Sequence, residues 1–415
     1  MVQRIVVLGA GFAGLWSAAG AARALDLYGV EGVEILVIDR TNYHSIRVRN
    51  YEAELGDTIV SLKSVLDPIG VRHLKGNVTC VDVVRRTVSY TDGATQQVVP
   101  YDRLVCALGS CLDRPPIPGL EKYGFDIDTY EAGQRLNDHI AALPSAEPTP
   151  GQFTVLIVGA GLTGIEAAAE MPGKLRAALG PLRSQGARVI LADRKPWIGS
   201  DMGESARPVI AEALQSLGIE TRTGISLAAV DADGATLGTG ERIATATIVW
   251  CAGMRANALT AQFPVERDGL GRLPVDEFLK VQGLDAEFAA GDTASLLVDG
   301  THRTVMSCQH GRPMGRFAGH NVVCDLIGRP MLKLRIDWYT TILDLGPWGA
   351  VCTEGWDRKI VASGMEAKRT KETINRERIY PPRSGDRRAI LEAAEPVVQP
   401  SPLRLHPAGQ EAATR

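Results

Sequence analysis

The stretch RIVVLGAGFAGLWSAA, residues 4–19, carries the first half of the fold. Its apolar, β-branched start, Arg4 to Leu8, reads as a buried strand. Gly9, Gly11 and Gly14 read as a tight turn, and the Ala- and Leu-rich residues to Leu27 as a helix. A second apolar strand, Val33 to Ile38, ends in Asp39. Glycines at this spacing between strand and helix suit a dinucleotide. The first makes the turn, the second lets pyrophosphate reach the backbone, and the third brings helix and strand together. The helix N-terminus stabilises the phosphate charge.

The same device recurs. FTVLIVGAGLTGIEAAA, residues 153–169, places Gly159, Gly161 and Gly164 in the same pattern, and the strand Ala187 to Ala192 ends in Asp193. Gly159 follows Gly9 by 150 positions, which is the scale of a duplicated domain and not of a short repeat. Asp39 and Asp193 stand 30 and 34 residues after the first glycine of their copies, where a carboxylate accepts from ribose hydroxyls. The usual interval is about 20, so long intervening helices are expected.

Composition agrees with two or three soluble domains over 415 residues. With 45 basic and 48 acidic residues, the net charge of −3 offers no field for nucleic acid. Seven scattered cysteines show no zinc spacing and no secreted disulfide framework, so no metal site is expected and the cytoplasm is the default location. Ile5 to Ala22 lacks charge and mimics a signal peptide or membrane span, but its glycine spacing has the better explanation given above. Further strand-to-turn segments end at Gly109, Gly253 and Gly291-Asp292. A helix pattern runs from about Ser307 to Ile327. Residues 335–364 have a β texture, with Trp338, Trp348 and Trp356 read as sheet core or subunit interface. Lys368 to Arg388 reads as a basic surface strip.

Together with Asn42-Tyr-His44 and Gly291-Asp292, the paired fingerprints resemble the two-dinucleotide-domain flavoproteins. Within them the chain resembles type II NADH:quinone oxidoreductases over about residues 4–330. The resemblance implies an α/β fold of two Rossmann-like, glutathione-reductase-like domains plus a small C-terminal α+β region. It implies a discontinuous FAD domain (1–115 and 255–328), an NAD(P)H domain (116–254), a C-terminal dimer or acceptor interface (329–388) and a disordered tail (389–415). FAD falls to Gly9, Gly11, Gly14, Asp39, Gly109, Gly291 and Asp292. The nicotinamide cofactor falls to Gly159, Gly161, Gly164, Asp193 and Gly253. NADH is expected over NADPH, because Asp193 repels a 2′-phosphate, although Arg194 and Lys195 adjoin it. Glu166, Gln309 and His44 take the catalytic positions.

The implied activity passes hydride from NADH to FAD and then electrons to a small acceptor, a quinone by family. Two departures matter. Met314 stands where the family carries a second glutamine after Gln309, and the amphipathic membrane anchor is missing. The alternatives are a soluble reductase feeding a redox protein or a biosynthetic metabolite, and a flavin-bound redox sensor. No integral membrane segment is expected, only peripheral contact, and a homodimer fits the C-terminal region. Cys106 and Cys111 have disulfide-reductase spacing but lie outside the usual place for that pair, and Cys308 sits near a helix start.

Overall fold

The computed structural model describes residues 2–404. Two five-stranded, all-parallel sheets share one order over four strands, and the outer fifth comes last in the chain in the first sheet and first in the second. The first runs Glu287–Ala289, Arg103–Cys106, Gln3–Leu8, Val33–Asp39, Arg72–Lys75. The second runs Gly124–Phe125, Thr247–Trp250, Thr154–Val158, Arg188–Asp193, Ile219–Thr223. Ile5, Val6, Val7 and Leu8 are all buried, as are Val155, Leu156 and Ile157, so the central strands are covered on both faces. This is why their sequences are continuous apolar runs and not alternating ones.

The duplication goes deeper than the fingerprints. Each unit inserts a three-stranded antiparallel sheet at the same place in its chain order. These are Asn77–Asp82, Thr87–Thr91 and Gln96–Pro100 in the first unit, and Leu227–Asp231, Gly234–Leu237 and Arg242–Ala244 in the second. The units are joined by two adjacent strands, Ser110–Leu112 and Met254–Ala256, paired antiparallel. The long spacings to Asp39 and Asp193 come from the 17-residue helix Phe12–Tyr28 and from the helical stretch Leu162–Arg183, which breaks at Gly180 (φ +74°).

Helix Cys308–Leu326 lies against Phe12–Tyr28 almost backbone to backbone. A Cβ on Gly315 would stand 2.3 Å from the Ala13 carbonyl oxygen, and one on Gly319 2.1 Å from that of Ser17. Those small residues bring the start of the second helix to the mouth of the first fingerprint.

The C-terminal segment forms the antiparallel sheet Thr340–Asp344, Ala350–Glu354, Lys359–Ser363, then helix Gly364–Thr373 and a π-helical turn, Ile374–Arg378. Two expectations are corrected here. Lys368 to Arg388 is not a bare surface strip. Lys368 pairs with Asp344 (2.5 Å), Lys371 with Glu166 (2.7 Å), Arg383 with Asp57 (2.8 Å) and Arg387 with Asp26 (2.6 Å). All four acidic partners lie in other elements, three of them more than 200 residues back, where local charge counting does not look. Nor is residue 389 the start of disorder. Helix Arg387–Ala393 buries Ile390 and Leu391 in the first unit's core, and Trp338 Nε1 donates to the Gln399 carbonyl at 3.1 Å. Residues 405–415 of that expected tail lie outside the described residues.

Candidate functional site

The two glycine turns have matching geometry. Gly9 and Gly159 take φ of +90° and +105°, left-handed values that side chains rarely adopt. A Cβ on Gly14 would lie 1.9 Å from the Gly9 carbonyl oxygen, and one on Gly164 1.8 Å from that of Gly159. The middle glycines behave differently. A Cβ at Gly11 would meet nothing within 4 Å, and one at Gly161 only Asp201 Oδ2 at 3.5 Å. First and third glycines are closed by protein, while the second is open to a ligand. Gly11 and Gly161 cap their helices without a side-chain hydrogen bond, and neither first turn holds an acidic residue. The free N–H groups and positive dipole end are thus left for an anion.

The aspartates hold these turns. Asp39 Oδ2 accepts from the Ala10 N–H (2.7 Å), and Oδ1 from the Thr41 N–H and hydroxyl (both 2.8 Å). Asp193 repeats this with the Ala160 N–H (2.6 Å) and the Lys195 N–H (2.7 Å). Two ionised oxygens offer about four acceptor positions, so both retain capacity for a ribose hydroxyl.

A cavity of about 420 Å³ runs from the first turn towards the second unit. Gly9, Gly11, Asp39, Gly109, Gly291 and Asp292 line it, and Thr163, Trp250 and Cys251 close its far end. Asp292 accepts from the Ser110 hydroxyl at 2.6 Å and faces Arg47 Nη1 at 3.8 Å, while burial pushes its carboxyl up. Arg47 also donates to the Ser110 hydroxyl (2.9 Å) and pairs with Asp128. The cradle suits FAD: it is long, open at the middle glycine, and carries a helix N-terminus beside it. Gly11, Asp39 and Asp292 are the residues that would hold it.

His44 is not on this wall. It is 1% exposed behind the glycine turn, its Nδ1 lies 2.9 Å from the Ala10 carbonyl oxygen, and its Nε2 has no partner. The expected catalytic role is corrected to a positioning one: the neutral ring donates from Nδ1 and clamps the turn. Burial pulls its pKa down to about 4. The unfolded chain, near 6.5, therefore takes up a proton first, so this contribution is intact above about pH 6.5 and is lost as pH falls towards 4. The loss is on the order of 3 kcal/mol. Urea unfolding across that range should show a shallower acid slope in His44→Phe than in the parent.

Glu166 lines neither cavity. Its Oε1 accepts from Lys371 Nζ (2.7 Å) and from the Asp344 N–H (3.1 Å), tying the second fingerprint helix to the C-terminal sheet. Burial pulls the Lys371 ammonium down, but the Glu166 carboxylate beside it outweighs that and holds it above its ordinary value. Contact of Glu166 with the reacting atoms is thus replaced by a buried ion pair. Its lysine, not its carboxylate, reaches a cavity.

That second cavity measures about 200 Å³ and abuts the first, sharing Val48, Ser307 and Cys308. Gln309, Trp338, Thr340, Lys371 and the π-turn residues Asn375 and Arg378 line it. The Thr340 hydroxyl donates to Gln309 Oε1 at 3.3 Å and sets the amide so that Nε2 is buried without a partner. Met314, which replaces the family's second glutamine, is fully buried in the first core and reaches neither cavity. Cys308 begins its helix as expected, yet burial pushes its thiol up. Cys106 is buried in a strand and Cys111 exposed, and both are free. Among the C-terminal tryptophans, Trp356 stacks on Tyr339 (4.5 Å) and His302 (4.4 Å), while Trp338 faces the cavity. Sequence reasoning missed Arg47, Ser110, Lys371, Arg312, Arg316 and Arg378. A pair of arginines four apart in a buried, acid-poor helix was the available signal.

These paired cradles define a flavin- and nicotinamide-binding oxidoreductase, and the comparisons agree. The model of the pyridine nucleotide-disulphide oxidoreductase family matches residues 3–315, and the chain belongs to that family. It is 54% identical over 403 residues, 97% of this chain and 100% of the relative, to an NADH dehydrogenase-like protein of Mycobacterium tuberculosis. A type II NADH:quinone oxidoreductase of the same organism is 32% identical over 329 residues, 71% of this chain and 67% of the relative. The fold matches the structure of NDH2 from Plasmodium falciparum in complex with NADH, with a TM-score of 0.74 at 13% identity, covering 95% of this chain and 98% of that one. The chain is an NADH dehydrogenase-like oxidoreductase with FAD and NADH as its cofactors. No helix among the described residues is long and apolar enough to cross a membrane.

Proposed function

We propose that the chain catalyses NADH + H⁺ + quinone → NAD⁺ + quinol, with FAD at the first fingerprint, NADH at the second and the quinone in the smaller cavity. The shared wall supports this most directly. Val48, Ser307 and Cys308 separate the nucleotide cradle from a second, largely apolar space. The start of the second fingerprint helix touches both, Thr163 on one side and Leu162 on the other. FAD, when bound, supplies the chemistry that accepts hydride and gives up electrons.

The chain supplies position and donors. Asp39 and Asp193 fix the two turns and keep lone pairs for ribose hydroxyls, and Asp193 disfavours a 2′-phosphate. Gln309 Nε2 and the third N–H of Lys371, which has two bonded acceptors, are donors for a quinone carbonyl. Adjacent cavities of this kind set a fixed distance between partners and exclude water between them. A cytoplasmic enzyme with peripheral membrane contact and a homodimer completes the proposal; membrane flotation and sedimentation equilibrium check these.

Stopped-flow absorbance under nitrogen tests the acceptor half. Gln309→Ala should slow reoxidation by a soluble quinone about tenfold, the worth of one hydrogen bond, while NADH still bleaches the flavin at the parental rate. Equal reoxidation rates would remove Gln309 from acceptor binding.

A further inference from the structure

The smaller cavity holds more positive charge than a neutral quinone needs. Arg312 and Arg316 lie one turn apart on helix Cys308–Leu326 and both line it, as does Arg378 from the π-helical turn across the space. Arg312 is 7% exposed and Arg316 2%. Among the described residues neither has an ion pair, and the Nε atoms of both are buried without a partner. Among the described residues Arg378 donates only to the Pro400 carbonyl oxygen.

The neighbours do not supply the missing counter-ion. Lys371, the other cation on the wall, is taken by Glu166. The Cys308 thiol is pushed up by burial and stays neutral. The Trp16 ring, with centroid 5.6 Å from the Arg312 guanidinium carbon and 4.5 Å from that of Arg316, offers its face and no charge. Burial pulls Arg312 down to about 9 and Arg316 to about 10, yet both stay protonated at neutral pH. Proteins seldom bury cations unpaired, since desolvation is costly unless a partner arrives. Guanidinium forks are shaped for a carboxylate or a comparable oxyanion.

Resting on the acceptor reading above, we propose that this cavity selects an anionic substrate: a planar quinone-type acceptor carrying a carboxylate, which Arg312, Arg316 and Arg378 grip while Gln309 and Lys371 face the carbonyl end. The π-helical turn places Arg378 on the wall, a local irregularity of the kind that accompanies ligand sites.

The test compares a naphthoquinone bearing a propanoate side chain with its methyl ester, which share one ring, on the FAD-loaded full chain. Calorimetric titration with 2-naphthoate and 2-naphthamide adds a readout without turnover. The acid should show a KM at least about tenfold below the ester, and naphthoate should bind where naphthamide does not. In Arg378→Gln, and separately in Arg316→Gln, that preference should fall towards unity. Melting curves confirm that each variant folds. Equal KM values for acid and ester, with no preference for naphthoate, overturn the anion site while leaving quinone reduction standing. Naphthoate binding without reduction of either quinone overturns the quinone reading and leaves the anion site standing.

Discussion

Gly14→Val is expected to yield protein that purifies without FAD, and Gly164→Val protein that keeps FAD but no longer responds to NADH. The cause is steric and lies in the backbone. The Gly9 carbonyl oxygen, 1.9 Å from a Cβ at position 14, belongs to a turn fixed by the Gly9 N–H on the Ile38 carbonyl (2.8 Å) and by Ala10 on Asp39. The turn cannot retreat without losing these bonds. The equivalent oxygen of Gly159 is held by its N–H on the Ala192 carbonyl (2.8 Å) and by Ala160 on Asp193. Overpacking costs about 1–3 kcal/mol, which is about fivefold to 150-fold in nucleotide affinity, and a β-branched side chain lies at the upper end. Visible absorbance of the purified protein and titration with NADH read the two effects separately. FAD retained by Gly14→Val, or an unchanged NADH response in Gly164→Val, would reverse the assignment of the two turns.

Lys371→Met should be the most destabilising single change in the C-terminal segment. It leaves Glu166 buried without its own cation, beside Asp344, which keeps Lys368, and breaking such a pair from one side costs about 3–5 kcal/mol. Adding Glu166→Leu should recover most of the loss, because well-packed apolar groups replace buried pairs at little cost. In the parent, Lys371 is held above its ordinary value, so its contribution is present below about pH 10.5 and lost as pH rises through the folded value. Thermal melts of the single and double variants, at neutral pH and near pH 11, check both statements. A double variant as unstable as Lys371→Met would contradict them.

Much of the fold was legible because each fingerprint is local. Six glycines stand at fixed offsets after an apolar run in each copy, with an aspartate 30 or 34 residues after the first glycine, and the structure packs the first and third glycines against protein while leaving the second open. The antiparallel sheets inserted after Arg72–Lys75 and Ile219–Thr223 are a second mark of the duplication, but their sequences differ and periodicity alone did not align them. The site was less legible wherever a partner comes from far along the chain. Glu166 and Lys371 are 205 positions apart, and nothing near Glu166 announces that its carboxylate is engaged. His44 has the right neighbours for catalysis, yet only the fold shows that Ala10 takes its Nδ1. The basic segment looked exposed because Asp26, Asp57, Glu166 and Asp344 lie in other elements. Composition hid Ile390 and Leu391, which anchor the last helix, within a polar, proline-rich tail.

In the proposed reaction one chain takes hydride from NADH at paired nucleotide turns and delivers electrons to a quinone in the adjoining cavity. Double-mixing stopped flow under nitrogen addresses it directly: the FAD-loaded protein is first mixed with one equivalent of NADH, then with excess menadione. Rapid bleaching of the flavin absorbance is expected, with its full return on the second mix and one menadiol formed per NADH. Bleaching with no return, whichever soluble quinone follows, would contradict it.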